Sequence, residues 1–151
     1  MLDFGEDPTA GEEDPDADLA ALQELFRQSP WYDRQPWAVE YPIETPVAGF
    51  TVRGRIDAVF RTSDPEGGTR WELVDWKTGR VPRGEDLSHK AVQLAVYTLG
   101  FARLHGIDPS EISASFYYVA HGETVTPPSI ADESELSELL ARVRAGTSPQ
   151  K

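Results

Sequence analysis

Cysteine is absent from the 151 residues, which excludes disulfides, thiolate zinc sites and cysteine-held iron–sulfur clusters. No run of about 18 apolar residues occurs, so no segment is expected to span a membrane as a helix. The basic and then apolar opening of a secretory leader is also missing, since Met1-Leu2-Asp3 leads into acid. These absences together suggest a cytoplasmic chain. There is no nucleophile elbow and no Ser–His–Asp order, which argues against a serine-type hydrolase of sugars or proteins. Positive charge is scarce as well: the formal net charge is -12.

The charge is unevenly spread. Residues 1–18 carry eight acids and no base, and without them the net charge is only -4. Residues 51–105 carry nine Lys or Arg against seven Asp or Glu. Eleven of the 14 basic residues are Arg, a side chain suited to phosphate, although a GC-rich genome gives the same bias. An acidic stretch with Pro8, Gly11 and Pro15 is expected to be a disordered tail over residues 1–15. A DNA-mimicking or self-shielding arm is the other reading. A single domain over 16–146 and a short tail at 147–151 complete the expected organisation.

Apolar residues make up 39% of the chain, enough for one modest core. Leu19, Leu22, Leu25 and Phe26 follow helical spacing over 16–28, with Asp16 or Asp18 as candidate cap. "SPWYDRQPW" is a connector marked by Pro and Trp. "WAVEYPIETP" alternates like a strand with Val39, Tyr41 and Ile43 on one face, and Pro42 marks an edge. Residues 50–61 and 70–77 read as a hairpin joined by "SDPEGG", with a bulge or close backbone approach at Gly54. A helix over 87–104 buries Ala91, Leu94, Ala95, Leu99 and Ala102 and stops at Gly106. A strand pair around His121-Gly122 fills 112–127, and a terminal helix covers 132–146. The order α-β-β-β-α-β-β-α implies an α/β fold, a mixed central sheet flanked by helices.

The chemistry concentrates in "VDWKTG". Asp75 and Lys77 alternate onto one face of their strand and Trp76 onto the other. Asp57, inside "GRIDAVF", lies on the neighbouring strand with apolar Ile56 and Val59 around it. A lone buried carboxylate is costly unless paired or bound to a metal. Cross-strand neighbours have Cβ atoms roughly 4.5–5.5 Å apart, close enough for a hard divalent ion to join two carboxylates. Taken alone, an acid and a lysine two residues apart are equally a structural ion pair. Gln93 and Tyr97 stand at i and i+4 on a largely apolar helix, either as a hydrogen-bonded core edge or as site residues.

"GRIDAVF", "WELVDWKTG" and "QLAVY", in that order over roughly residues 38–127, resemble the PD-(D/E)xK nuclease superfamily. The resemblance is strongest to the RecB-type module at the C-terminal end of UvrD-like helicase–nucleases. It implies a restriction-endonuclease-like core and metal-dependent DNA hydrolysis, as an exonuclease in DNA repair or recombination. It further implies Mg²⁺ or Mn²⁺ held by Asp57, Asp75 and the Trp76 backbone carbonyl, with Lys77 as the catalytic lysine. Gln93 and Tyr97 match the family's Q-x-x-x-Y helix motif, which contacts DNA and orients the site. Arg53, Arg55, Arg80, Arg83 and Lys90 flank these residues, either as phosphate contacts or as ordinary solvated charges. The implied partners are DNA and a UvrD-like helicase, in cis or in trans.

Two departures accompany the resemblance. RecB-type modules usually carry a metal-ligating histidine on their first helix, and residues 16–28 contain none. His89, His105 and His121 match no such motif, and Glu40 upstream is either a substitute ligand or, as the favoured reading, a solvent-facing residue. Glu72 projects away from Asp75 and is left out of the metal set. An idle module of the same fold, binding DNA or docking on a helicase, is the alternative.

Overall fold

Alternation at period two sets the first half of the folded chain, and period 3.6 sets the helix that crosses it. The computed structural model describes residues 2–3 and 15–146. In chain order its elements are β1 (Leu2–Asp3), α1 (Pro15–Arg27), β2 (Ala38–Val47), β3 (Phe50–Ser63), β4 (Thr69–Lys77), α2 (Glu85–His105), a 3-10 turn (Pro109–Glu111), β5 (Ile112–Tyr118), β6 (Glu123–Val125) and α3 (Glu133–Gly146). The anticipated order is therefore present, with β1 in front of it. The acidic segment 4–14 and the tail 147–151 lie outside the described residues.

The sheet is mixed. β3 is its longest strand and pairs antiparallel with β2 along one edge. Its other edge is shared: β1 lies parallel to it at Val52 and Arg53, and β4 antiparallel to it from Ala58 to Ser63. β5 runs parallel to β4 and then turns into antiparallel β6. A parallel neighbour requires a long crossover, and α2 is that crossover. The β3–β4 turn is held by Asp64, whose carboxylate accepts the Glu66 N–H at 3.0 Å. Gly67 takes φ 95° there, a conformation a side chain resists.

Two cores form on the two faces. Ile43, Val52, Ile56, Leu73, Phe116 and Tyr118 meet Leu94 and Phe101 of α2 and Leu136 and Leu140 of α3. The fully buried aliphatic and aromatic side chains contribute roughly 1.5–3 kcal/mol each by leaving water. The opposite face brings Ala58, Phe60, Val74, Tyr117 and Val119 against Trp31, with Leu22 and Phe26 of α1 alongside. Gly100 lets α2 approach β2, since a Cβ there would sit 3.0 Å from Ile43 Cδ1. α2 ends at Gly106, which takes φ 64° and donates its N–H to Ala102 O. No helix among the described residues is long and apolar enough to cross a membrane.

Three local expectations are corrected. Val39 does not share a face with Tyr41 and Ile43: it is exposed, whereas Ile43 is buried. The cause is Glu40, whose φ of 48° inverts the alternation at that point. The irregularity expected as a bulge at Gly54 is not there, because Ile43 pairs with Gly54 in register. It falls three residues later, at Asp57. Finally, α1 begins at Pro15, ahead of Asp16 and Asp18, so neither precedes it as a cap. Proline suits a first helical position because no N–H is needed there.

Candidate active site

The site forms where regular pairing stops. Ala58 pairs with Val74, and one more step would set Asp57 opposite Asp75. The β2 ladder likewise runs through Val39–Ala58 and Tyr41–Ile56 and omits Glu40–Asp57. Asp57 is thus skipped by the ladders on both edges of β3. Side chains change face here: Ile56 belongs to the α2-side core, and Ala58 and Phe60 to the α1-side core. The Asp57 carboxylate takes over the missing backbone bond, accepting the Trp76 N–H at 2.8 Å. Its carboxyl feels the charge of the neighbouring Asp75. Burial, and then the nearby Asp75 charge, push the Asp57 carboxyl up to about 7; the Trp76 N–H and Lys77 act in the other direction.

Asp75 and Lys77 point from β4 toward α2, as the alternation requires. Both are nearly inaccessible, at 4% and 5% exposure. Lys77 Nζ lies 2.8 Å from Asp75 Oδ2 and donates to Gln93 Oε1 at 3.0 Å. Gln93 Nε2 donates to the Tyr97 hydroxyl at 3.0 Å, and that hydroxyl reaches Asp75 Oδ1 at 3.5 Å. The four side chains close a ring in which one helix turn holds a strand's lysine and acid. Burial, then the charges of Asp75 and Asp57, raise the Tyr97 phenol well above its ordinary value, so it remains a donor. Lys77 also lies 5.4 Å from the centre of the Phe116 ring.

The donor set suits a hard divalent cation. Two carboxyl groups are held close together in a poorly hydrated place, and Asp75 Oδ2 is buried yet accepts no hydrogen bond of good geometry. Its contact with Lys77 is an ion pair alone. An oxygen whose lone pairs meet one ion-pair contact, beside a second carboxyl, has room to ligate a cation that prefers oxygen. In an extended strand the N–H and C=O of one residue leave by the same edge. The Trp76 carbonyl therefore faces the Asp57 side of β4, where it could serve as a third oxygen ligand. Among the described residues no group of three or more His, Asp or Glu converges on one point. Glu40 stands across from Asp57 but is exposed. Glu72 faces the other way and pairs with Arg34 at 2.5 Å.

The remaining candidates are spread over β3, the loop after β4 and α2. Arg53 and Arg55 are exposed on β3, Arg80 and Arg83 are exposed in the loop after β4, and Lys90 is half-buried on α2. His89 and His121 are exposed, and His105 bonds the Tyr41 hydroxyl at 2.8 Å far along α2. Sequence reasoning missed the aromatic wall on the α1 face, made by Phe26, Trp31, Tyr32 and the Trp76 ring. Its only signal was the density of Trp and Tyr in the connector after α1.

A family model describing the PD-(D/E)XK nuclease superfamily matches residues 5–148. The chain belongs to that superfamily. Membership makes it a nuclease-fold protein and implies nuclease activity in general; such nucleases typically use divalent metal ions. Among curated proteins no sequence match is found. The fold is similar to that in the crystal structure of SSO0001, with a TM-score of 0.54 and 20% identity. The likeness covers 89% of this chain and 62% of the SSO0001 chain, and it speaks for the fold alone.

Proposed function

We propose that this PD-(D/E)XK chain is a metal-dependent deoxyribonuclease. The observation that supports this most directly is the placement of half-buried Asp57 and buried Asp75 at a break in the sheet, beside a lysine fixed by Gln93. Asp57, Asp75 and the Trp76 carbonyl would hold Mg²⁺ or Mn²⁺. When bound, such an ion polarises a phosphate and acidifies a water. Lys77 positions the attacking water and offsets the negative charge that builds on the phosphate during attack. Gln93 fixes the lysine's direction, and Tyr97, kept protonated, steadies both Gln93 and Asp75. Arg53, Arg55, Arg80, Arg83 and Lys90 supply backbone-phosphate contacts.

The biological setting we assign is that of a RecB-type exonuclease acting with, or fused to, a UvrD-like helicase in DNA repair or recombination. This rests on the resemblance of the "GRIDAVF", "WELVDWKTG" and "QLAVY" motifs. A second reading has one observation in its favour: among the described residues no third His, Asp or Glu joins the two carboxylates. On that reading the chain is an idle module that binds DNA or docks on a helicase. The deciding experiment assays single-stranded DNA with Mg²⁺ or Mn²⁺, using the wild-type chain and Lys77→Ala. Cleavage that the substitution abolishes supports the enzyme. Cleavage that it leaves intact removes Lys77 from the chemistry, and absence of cleavage in both supports the idle module.

A further inference from the structure

The proposed chemistry leaves the α1 face of the sheet unused. A cleft of about 430 Å³ opens there, walled by Phe26, Trp31, Tyr32 and Trp76, and Asp57 lines it. Beside it lies a second cavity of about 480 Å³, reaching Thr78, the residue after Lys77. Phe26, Tyr32 and Trp76 line both, so these three rings form the partition between the two spaces. The partition is braced edge to face. Phe26 meets Trp76 with ring centres 5.0 Å apart and Tyr32 with centres 6.0 Å apart. Tyr32 is 50% exposed, a large aromatic surface left to solvent at the mouth of a cleft.

The cleft is lined by polar groups as well as rings: one base, Arg34, and two acids, Glu40 and Asp57. Arg34 lines it with its guanidinium 5.0 Å from the Trp31 ring centre and 4.6 Å from that of Phe60, and Glu72 fixes it there. The wall thus combines flat rings with a held, planar cation. Unpaired nucleobases stack on surfaces of both kinds. The volume is within the range of roughly 300–1,000 Å³ usual for small-ligand sites. Asp57 connects the cleft to the acid pair: one of its oxygens holds the Trp76 N–H, and the Trp76 ring is part of the wall. A base lodged here would belong to a nucleotide at or next to the phosphate presented to Asp57.

Building on the nuclease reading of Asp57 and Asp75, we infer that this cleft receives an unpaired nucleobase of the strand being cut. Tyr32 and Trp76 are its stacking surface, and Arg34 braces the wall. The preferred substrate is a strand with an unpaired segment at the scissile phosphate. In an intact duplex the base is already stacked on its neighbours and paired, and it cannot enter.

The test measures binding and leaves cleavage to a separate experiment. The full chain, in EDTA and low salt, is titrated into a single-stranded oligodeoxynucleotide carrying one 2-aminopurine. A second titration uses the same strand with an abasic position. The wild-type chain quenches the 2-aminopurine and binds it more tightly than the abasic strand. Tyr32→Ala loses the quench and weakens binding roughly five- to hundred-fold, the span expected for one stacked base. Tyr32→Phe keeps both, and Tyr32→Ala binds the abasic strand no more weakly than the wild type does. No quench by the wild-type chain, equal quench and affinity in Tyr32→Ala, or equal competition by a blunt duplex overturns the proposal. Absence of cleavage in both the wild-type chain and Lys77→Ala would overturn the nuclease reading instead, and the two failures are read separately.

Discussion

The two faces of the sheet differ in how they treat polarity. The α2 face is closed, yet it buries a ring of Asp75, Lys77, Gln93 and Tyr97 within an otherwise apolar core. The α1 face is aromatic and partly open, and its polar members, Arg34 and Glu72, are half-exposed. A closed face fixes directions, because buried polar groups must be bonded to one another. An open face admits a ligand. Asp57 belongs to both: strand pairing lapses around it, so its carboxylate bonds the Trp76 N–H between Asp75 and Lys77 and lines the cleft as well.

The comparison is most sharply broken at Lys77. Lys77→Ala is expected to lower cleavage of single-stranded DNA by at least about 10²-fold, as loss of a charge-stabilising donor does elsewhere. A change under threefold in a gel assay would mean that the closed face is structural only. Packing comes next. Ile43→Ala should cost about 2–5 kcal/mol in urea unfolding, while Val39→Ala stays within about 0.5 kcal/mol. Equal costs would show that the alternation does not invert at Glu40. Gly100→Ala should cost about 1–3 kcal/mol, because its Cβ would press on Ile43. A neutral result would mean that α2 can withdraw from β2.

The mildest effect is graded by pH. Asp57 is raised from 3.8 to about 7, so the folded chain binds that proton more tightly than the unfolded chain. The stability it contributes is complete below 3.8 and is lost as pH rises toward about 7. Without divalent ions, the Tm should therefore fall across that window. Asp57→Asn, which imitates the protonated form, should flatten the fall. The same fall in both chains would place its cause elsewhere among the acids. Saturating Mn²⁺ should raise the wild-type Tm most near pH 7, and by more than it raises that of Asp57→Asn.

Much of this could be read from the letters alone. The positions of β3, β4 and α2 follow from alternation, helical spacing and the turn residues at 63–68. The shared face of Asp75 and Lys77 follows from a period of two, and the i, i+4 pairing of Gln93 and Tyr97 from a period of 3.6. The face of Val39 was not legible. One positive φ at Glu40 reverses it, and side chains other than glycine seldom announce that conformation. The Asp57–Trp76 bond was not legible either, because it replaces a ladder bond that period-two pairing would supply.

By itself the sequence determined which residues carry charge into apolar surroundings and on which element each one rides, because periodicity is a local property of the chain. Only the tertiary structure decided that the β3–β4 ladder stops one step short of Asp57 and Asp75. It alone seated Lys77 against Gln93 and stood Phe26, Tyr32 and Trp76 together as a wall. Each of these depends on contacts between distant segments, where close packing and the need to bond every buried polar group choose among arrangements that the local pattern leaves equal.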